Sequence, residues 1–178
     1  MPPVSKLTKE QAMYYFITGY TAAVAGTVVG VKEPKPEFSS CFGDAFLVLH
    51  PNYYASMLAK KMEEHNANAW LVNTGWSGGP ASGAGKRMKI SVTRAIIDAI
   101  HDGSLEKEET AEMPTFGLHV PKKCNNVPDE LLMPKNAWKD KHAYDVTLDK
   151  VAKLFIENFR KYEKDVDPGT LAAGPQHN

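Results

Sequence analysis

The chain has 178 residues, 21 Lys plus Arg against 21 Asp plus Glu, and 43% hydrophobic side chains. A chain of this length and composition buries roughly 70% of its unfolded surface, which excludes disorder of the whole chain and any need for covalent staples. Zero net charge argues against binding along the backbone of duplex nucleic acid, which needs a basic face. Two cysteines, Cys41 and Cys124, are too few for a disulfide framework or a zinc ribbon and read as reduced thiols. No apolar run reaches membrane-spanning length, and Met1 to Lys6 lacks the apolar core of a signal peptide.

In chain order, Thr8-Lys9-Glu10-Gln11 predicts a capping box, with Thr8 as N-cap. Met13, Phe16, Ile17, Tyr20 and Val24 follow at helical spacing, and Gly26 is placed to end that helix. Residues 30–37, with Pro34 and Pro36, read as an irregular connection, and 38–49 as one short strand. Pro51 opens an amphipathic helix carrying Tyr54, Met57, Leu58 and Met62. Ala69 to Asn73 reads as a buried strand, and 75–85 as a loop with five glycines. Ser91 or Thr93 is expected to cap a helix carrying Ile96, Ile97 and Ile100 and ending near Gly103. Residues 104–112 read as an exposed loop, Phe116 to Val120 as a strand and 121–134 as irregular. A long helix is predicted from about Asp140 to Tyr162, with Val151, Leu154, Phe155 and Phe159 as its stripe. Residues 165–178 and 1–6 are expected to be loose ends of one domain spanning 1–178. The alternation of elements, α-β-α-β-α-β-α, predicts an α/β sandwich.

Chemistry concentrates in the glycine-rich stretch from Asn73 to Arg87. It follows a strand and precedes a helix, so its backbone amides can approach a phosphate or a ring, and Lys86 and Arg87 add positive charge. It is not a P-loop: Pro80 and Arg87 stand where that motif needs Gly and Ser or Thr. On residue types alone, the favoured reading is a flexible hairpin or loop with basic residues at its exit, since loops are commonly glycine-rich for turn geometry. The six histidines offer no metal-binding spacing, no nucleophile elbow is present, and Cys41 among small and apolar neighbours reads as an inert thiol. The residues by themselves therefore give an α/β domain with one candidate anion- or nucleotide-binding loop.

A string of motifs goes further. Gln11-Ala12-Met13-Tyr14-Tyr15-Phe16, Gly19-Tyr20-Thr21-Ala22, Phe38-Ser39-Ser40-Cys41-Phe42-Gly43 and Leu49-His50-Pro51 stand in order. Trp70-Leu71-Val72-Asn73-Thr74-Gly75-Trp76, Gly85-Lys86-Arg87-Met88, Thr93-Arg94 and Ala172-Ala173-Gly174-Pro175 follow. Over essentially its whole length the chain resembles the last third of ATP-dependent phosphoenolpyruvate carboxykinase. The resemblance implies an α/β fold, a mixed sheet flanked by helices, forming the C-terminal nucleotide-binding lobe of that enzyme. It implies a cytoplasmic lyase (a decarboxylase with kinase-like phosphoryl transfer) that turns oxaloacetate and ATP into phosphoenolpyruvate, CO2 and ADP in gluconeogenesis. It assigns Arg87, Met88 and Thr93, with Gly85 and Lys86 leading to them, to the base and ribose side of the ATP site. The family's Mg2+ or Mn2+ ligands, P-loop and other catalytic residues match no position here, so this segment is expected to hold none of them and to be inactive alone. Its expected partners are ATP or ADP and the N-terminal part of the enzyme, with self-association through exposed interdomain surface, and neither nucleic acid nor membrane. Val28, where the family usually has a carboxylate, departs from the pattern. The alternative is a free-standing, non-catalytic nucleotide-binding or assembly module.

Overall fold

The computed structural model describes residues 1–23 and 35–176. The chain opens with strand β1 (Val4–Leu7) and helix α1 (Lys9–Thr18), then the paired strands β2 (Tyr20–Ala23) and β3 (Lys35–Phe38). Two 3-10 turns, Ser40–Phe42 and Asp44–Phe46, lead into α2 (Pro51–Glu64). Next come β4 (Ala69–Val72), β5 (Trp76–Ser77), β6 (Lys86–Arg87), α3 (Ile90–His101), β7 (Thr110–Met113) and β8 (Leu118–Pro121). Single turns α4 (Asp129–Leu132) and α5 (Pro134–Ala137), the long α6 (Lys141–Phe159) and the short α7 (Pro168–Ala172) complete it. The chain is therefore α/β, with small antiparallel ladders. It divides into two compact units, Met1–Leu7 with Trp70–Lys150, and Thr8–Ala69 with Val151–Asn178. None of its helices among the described residues is long and apolar enough to cross a membrane.

The first unit is built on a four-stranded sheet in the order β4-β1-β8-β7. β8 pairs antiparallel with β1 (Lys6 opposite His119) and with β7 (Met113 opposite Leu118). Alternation decides the faces: Leu118 and Val120 are buried while His119 between them is half-exposed, the period of a sheet with one face on the core. β1 has Val4 and Ser5 fully buried in succession, as an inner strand does, so residues 1–6 are not a loose end. β4 lies at the sheet edge with Val72 exposed, rather than as the fully buried strand its composition suggested. α3 buries Val92, Ile96 and Ala99 on one stripe, and Gly103 turns left-handed just past its end. It starts one residue before Ser91, at Ile90, so neither Ser91 nor Thr93 caps it; both lie inside its first turn. The segment read as an exposed loop supplies a core residue, Leu105, and the strand β7. The strand placed at 116–120 starts two residues later, because Gly117 completes a turn back to the Met113 carbonyl.

The second unit is an aromatic core. The capping box forms as expected: Thr8 accepts from the Gln11 amide at 3.1 Å and the Gln11 side chain accepts from the Thr8 amide at 3.1 Å. α1 stops earlier than the periodicity suggested. Gly19 takes φ +55°, and a Cβ there would overlap the Ser39 carbonyl, so only glycine fits that turn. Tyr20 accordingly belongs to β2, opposite Phe38. The 35–38 part of the stretch read as irregular is β3, whose Pro36 is tolerated in a two-stranded ribbon. The strand placed at 38–49 is replaced by the two 3-10 turns. Val24, Gly26, Val28 and 30–34 lie outside the described residues, as do His177 and Asn178. α2 buries Ala55 and Ala59, small residues that let α1 come close, while Met57 of the expected stripe is exposed. Phe155 meets Tyr15, Tyr20 and Phe38 at 4.9–5.8 Å between ring centres, and Phe159 stacks on Tyr14 at 4.2 Å. Such pairs add about 0.5–1.5 kcal/mol each beyond area burial. The tail is not loose: Asp167 caps α7 by accepting from the Thr170 amide at 3.0 Å, and Gly174 and Pro175 are buried.

Candidate functional site

The glycine-rich stretch is a hairpin. β5 and β6 pair antiparallel with Trp76 opposite Arg87 and Ser77 opposite Lys86. The Met88 amide donates to the Gly75 carbonyl at 3.0 Å, extending the ladder by one pair. Between the strands the chain folds back on Pro80, whose carbonyl accepts from the Gly83 and Gly85 amides, each at 3.0 Å. Gly85 is pressed against this turn: a Cβ there would stand 2.6 Å from the Pro80 oxygen and closer still to that of Gly79. The tip is thus a closed, glycine-dependent loop that holds β6 in register.

From it emerge the residues singled out in the sequence. Lys86 and Arg87 are exposed, Met88 is half-buried, and the chain turns within two residues into α3, whose first turn carries Thr93, half-buried. The Thr93 amide reaches the Lys89 carbonyl at 3.4 Å, inside the helix. The structure therefore brings all five together on one continuous piece of the first unit. Of the two readings left open by the residues alone, the structure shows the hairpin. What the arrangement offers a ligand is a planar, exposed guanidinium, a second cation and a half-buried apolar side chain. Trp76, exposed beside Arg87, is not a residue the sequence reading selected; only the strand register puts it there.

Elsewhere the chemistry is structural. Cys41 and Cys124 are both free thiols. Burial, with Asp44 as a smaller contribution, pushes the Cys41 thiol up to about 11, which suits an inert group. His50 accepts from the Asn52 amide through Nδ1 at 3.3 Å and faces Asp165 through Nε2 at 3.4 Å, so it ties the start of α2 to the loop before α7. Among the described residues no group of three or more His, Cys, Asp or Glu side chains could hold a metal ion.

Residues 1–130 match the family described as phosphoenolpyruvate carboxykinase. The chain belongs to the phosphoenolpyruvate carboxykinase family. It is 57% identical over 98% of its length to the phosphoenolpyruvate carboxykinase (ATP) of Dictyostelium discoideum, of which it covers 31%. It is 56% identical over 99% of its length to that of Candida glabrata, covering 32%, and 54% identical to that of Saccharomyces cerevisiae over 99%, again covering 32%. The chain thus spans about a third of the length of these carboxykinases.

Proposed function

We propose that this chain is the adenine-binding part of the C-terminal nucleotide-binding lobe of an ATP-dependent phosphoenolpyruvate carboxykinase. In the family reaction oxaloacetate and ATP give phosphoenolpyruvate, CO2 and ADP, the lyase chemistry that serves gluconeogenesis. Phosphoryl transfer depends on positioning and on neutralising the transferred charge, the latter the work of Mg2+ or Mn2+ in this family. In this reading the chain's own residues do the positioning. Arg87 stacks its guanidinium on the adenine, Met88 packs beside it, Thr93 contacts the nucleotide from the first turn of α3, and Gly85 and Lys86 set the approach. Metal binding and transfer are the work of parts of the carboxykinase that these 178 residues do not contain, so residues 1–178 alone do not turn over. The family's expected compartment is the cytoplasm, with which two free thiols agree. Phe42, Phe46, Val48, Leu49, Tyr53 and Met57 are exposed within one stretch, which supports contact with the rest of a carboxykinase and self-association when that surface is bare.

The observation that carries this reading is the locked hairpin presenting an exposed Arg87 next to the start of a helix. A delocalised, weakly hydrated guanidinium suits a purine face better than an ammonium does. Arg87→Ala is expected to weaken ATP binding about ten-fold, and Arg87→Lys to recover little of that loss, measured by calorimetric titration. Unchanged affinity in Arg87→Ala would remove the residue from the site and leave the hairpin a structural turn.

A further inference from the structure

Trp76 stands directly across from Arg87 on a hairpin whose other pair, Ser77 and Lys86, points to the opposite face. The Met88 to Gly75 bond makes the next pair, Trp76 with Arg87, a non-hydrogen-bonded one, the kind in which opposing side chains come closest. Trp76 is 40% exposed, although tryptophan is among the largest apolar side chains and is on average highly buried. Nothing in the hairpin's closure requires an indole there: the loop is held by backbone bonds to Pro80 and by the close approach of Gly85. An exposed aromatic face beside a planar cation, on a rigid turn, is a stacking platform for a base.

We propose that Trp76 is a base-recognising residue, its indole providing a second stacking surface for the purine next to Arg87. This rests on the nucleotide reading above. The class of ligand is a purine nucleotide, recognised through its ring and not through its phosphates.

The test uses the full chain with Trp70→Phe and Trp138→Phe, so that Trp76 is the one remaining tryptophan, excited selectively over the tyrosines. ATP and AMP are expected to quench its emission saturably, and inorganic triphosphate, which has no base, to leave it unchanged. Trp76→Ala is expected to lose about ten-fold in affinity for ATP and AMP alike while any affinity for triphosphate stays; Trp76→Phe keeps most of the affinity. A strut role predicts something else: equal loss for ATP and triphosphate, with faster hydrogen exchange at the Met88 amide, and that result overturns the proposal. No quenching and unchanged affinity in Trp76→Ala, with Arg87→Ala still weakened, overturns it and leaves the nucleotide reading standing. Failure of the chain to bind any adenine nucleotide overturns both.

Discussion

Gly85→Ala tests the hairpin at the point where its geometry is least forgiving. The added methyl would fall 2.6 Å from the Pro80 oxygen and nearer to that of Gly79, both backbone atoms, so the facing chain must retreat by about 1 Å to restore ordinary contact. Overpacking of this kind costs about 1–3 kcal/mol. An isolated two-stranded hairpin is marginally stable at best. The cost therefore exceeds what keeps the tip closed, and the hairpin opens while the sheet and α3 remain folded. The exchange rate of the Met88 amide, bonded to Gly75 in the closed form, should rise about ten-fold or more, since about 1.4 kcal/mol is one decade. Affinity for ATP should fall with it, because Arg87 lies two residues on. Gly83→Ala is the control: its Cβ would meet the Pro80 ring at 3.4 Å, an ordinary contact, so it should be neutral or stabilise by up to about 1 kcal/mol. Amide exchange followed by NMR, alongside ATP titration, reads both. Wild-type exchange and affinity in Gly85→Ala would refute the claim that close backbone approach holds the register.

Asp167→Ala removes the cap of α7 and should cost about 1 kcal/mol at neutral pH in denaturant titration. The hydrogen bonds from Thr170 hold the Asp167 carboxyl below its ordinary value. The stability it contributes is therefore complete above the unfolded value, near 4, and is lost as pH falls through the lower folded one. Wild-type stability should fall in that acid window, and the Asp167→Ala variant should lose less there. Titration of denatured, unreduced chain should find two free thiols, and in the folded chain Cys41 should alkylate slowly at pH 8 and faster as pH approaches 11. With ATP, oxaloacetate and Mn2+ or Mg2+, residues 1–178 alone should show no turnover; metal-dependent rates of ~1–1000 per second would contradict the proposed division of labour.

Local signals served well where the responsible contact is local. The capping box at Thr8, the proline start of α2 and the long stripe of α6 depend on neighbours a few residues away, and all three are present. The end of α1 does not: helical spacing runs on through Tyr20, and what stops the helix is Ser39, twenty residues later, packed on Gly19. Strand β1 shows no alternation to read, because both of its faces are covered. At the tail, Asp167-Pro168 carries the signature of a cap followed by a first-turn proline, but the surrounding Gly and Pro mask it. The candidate site was legible because Gly85 to Thr93 is one continuous piece of chain. Trp76 was not, since its place beside Arg87 exists only once two strands have found their register.

The interleaving of the two units has a consequence for biosynthesis. Val4 and Ser5 end up fully buried, and their strand is completed on one side by β8, about 110 residues later in the chain. The second unit likewise needs Phe155 and Phe159 before the aromatic rings of α1 are covered. At ribosomal speeds of about 5–20 residues per second, these apolar surfaces wait on the order of ten seconds for their partners. Neither unit can fold piecemeal as it emerges from the exit tunnel, so the nascent chain should be a client for chaperones that shield apolar segments until synthesis has passed α6.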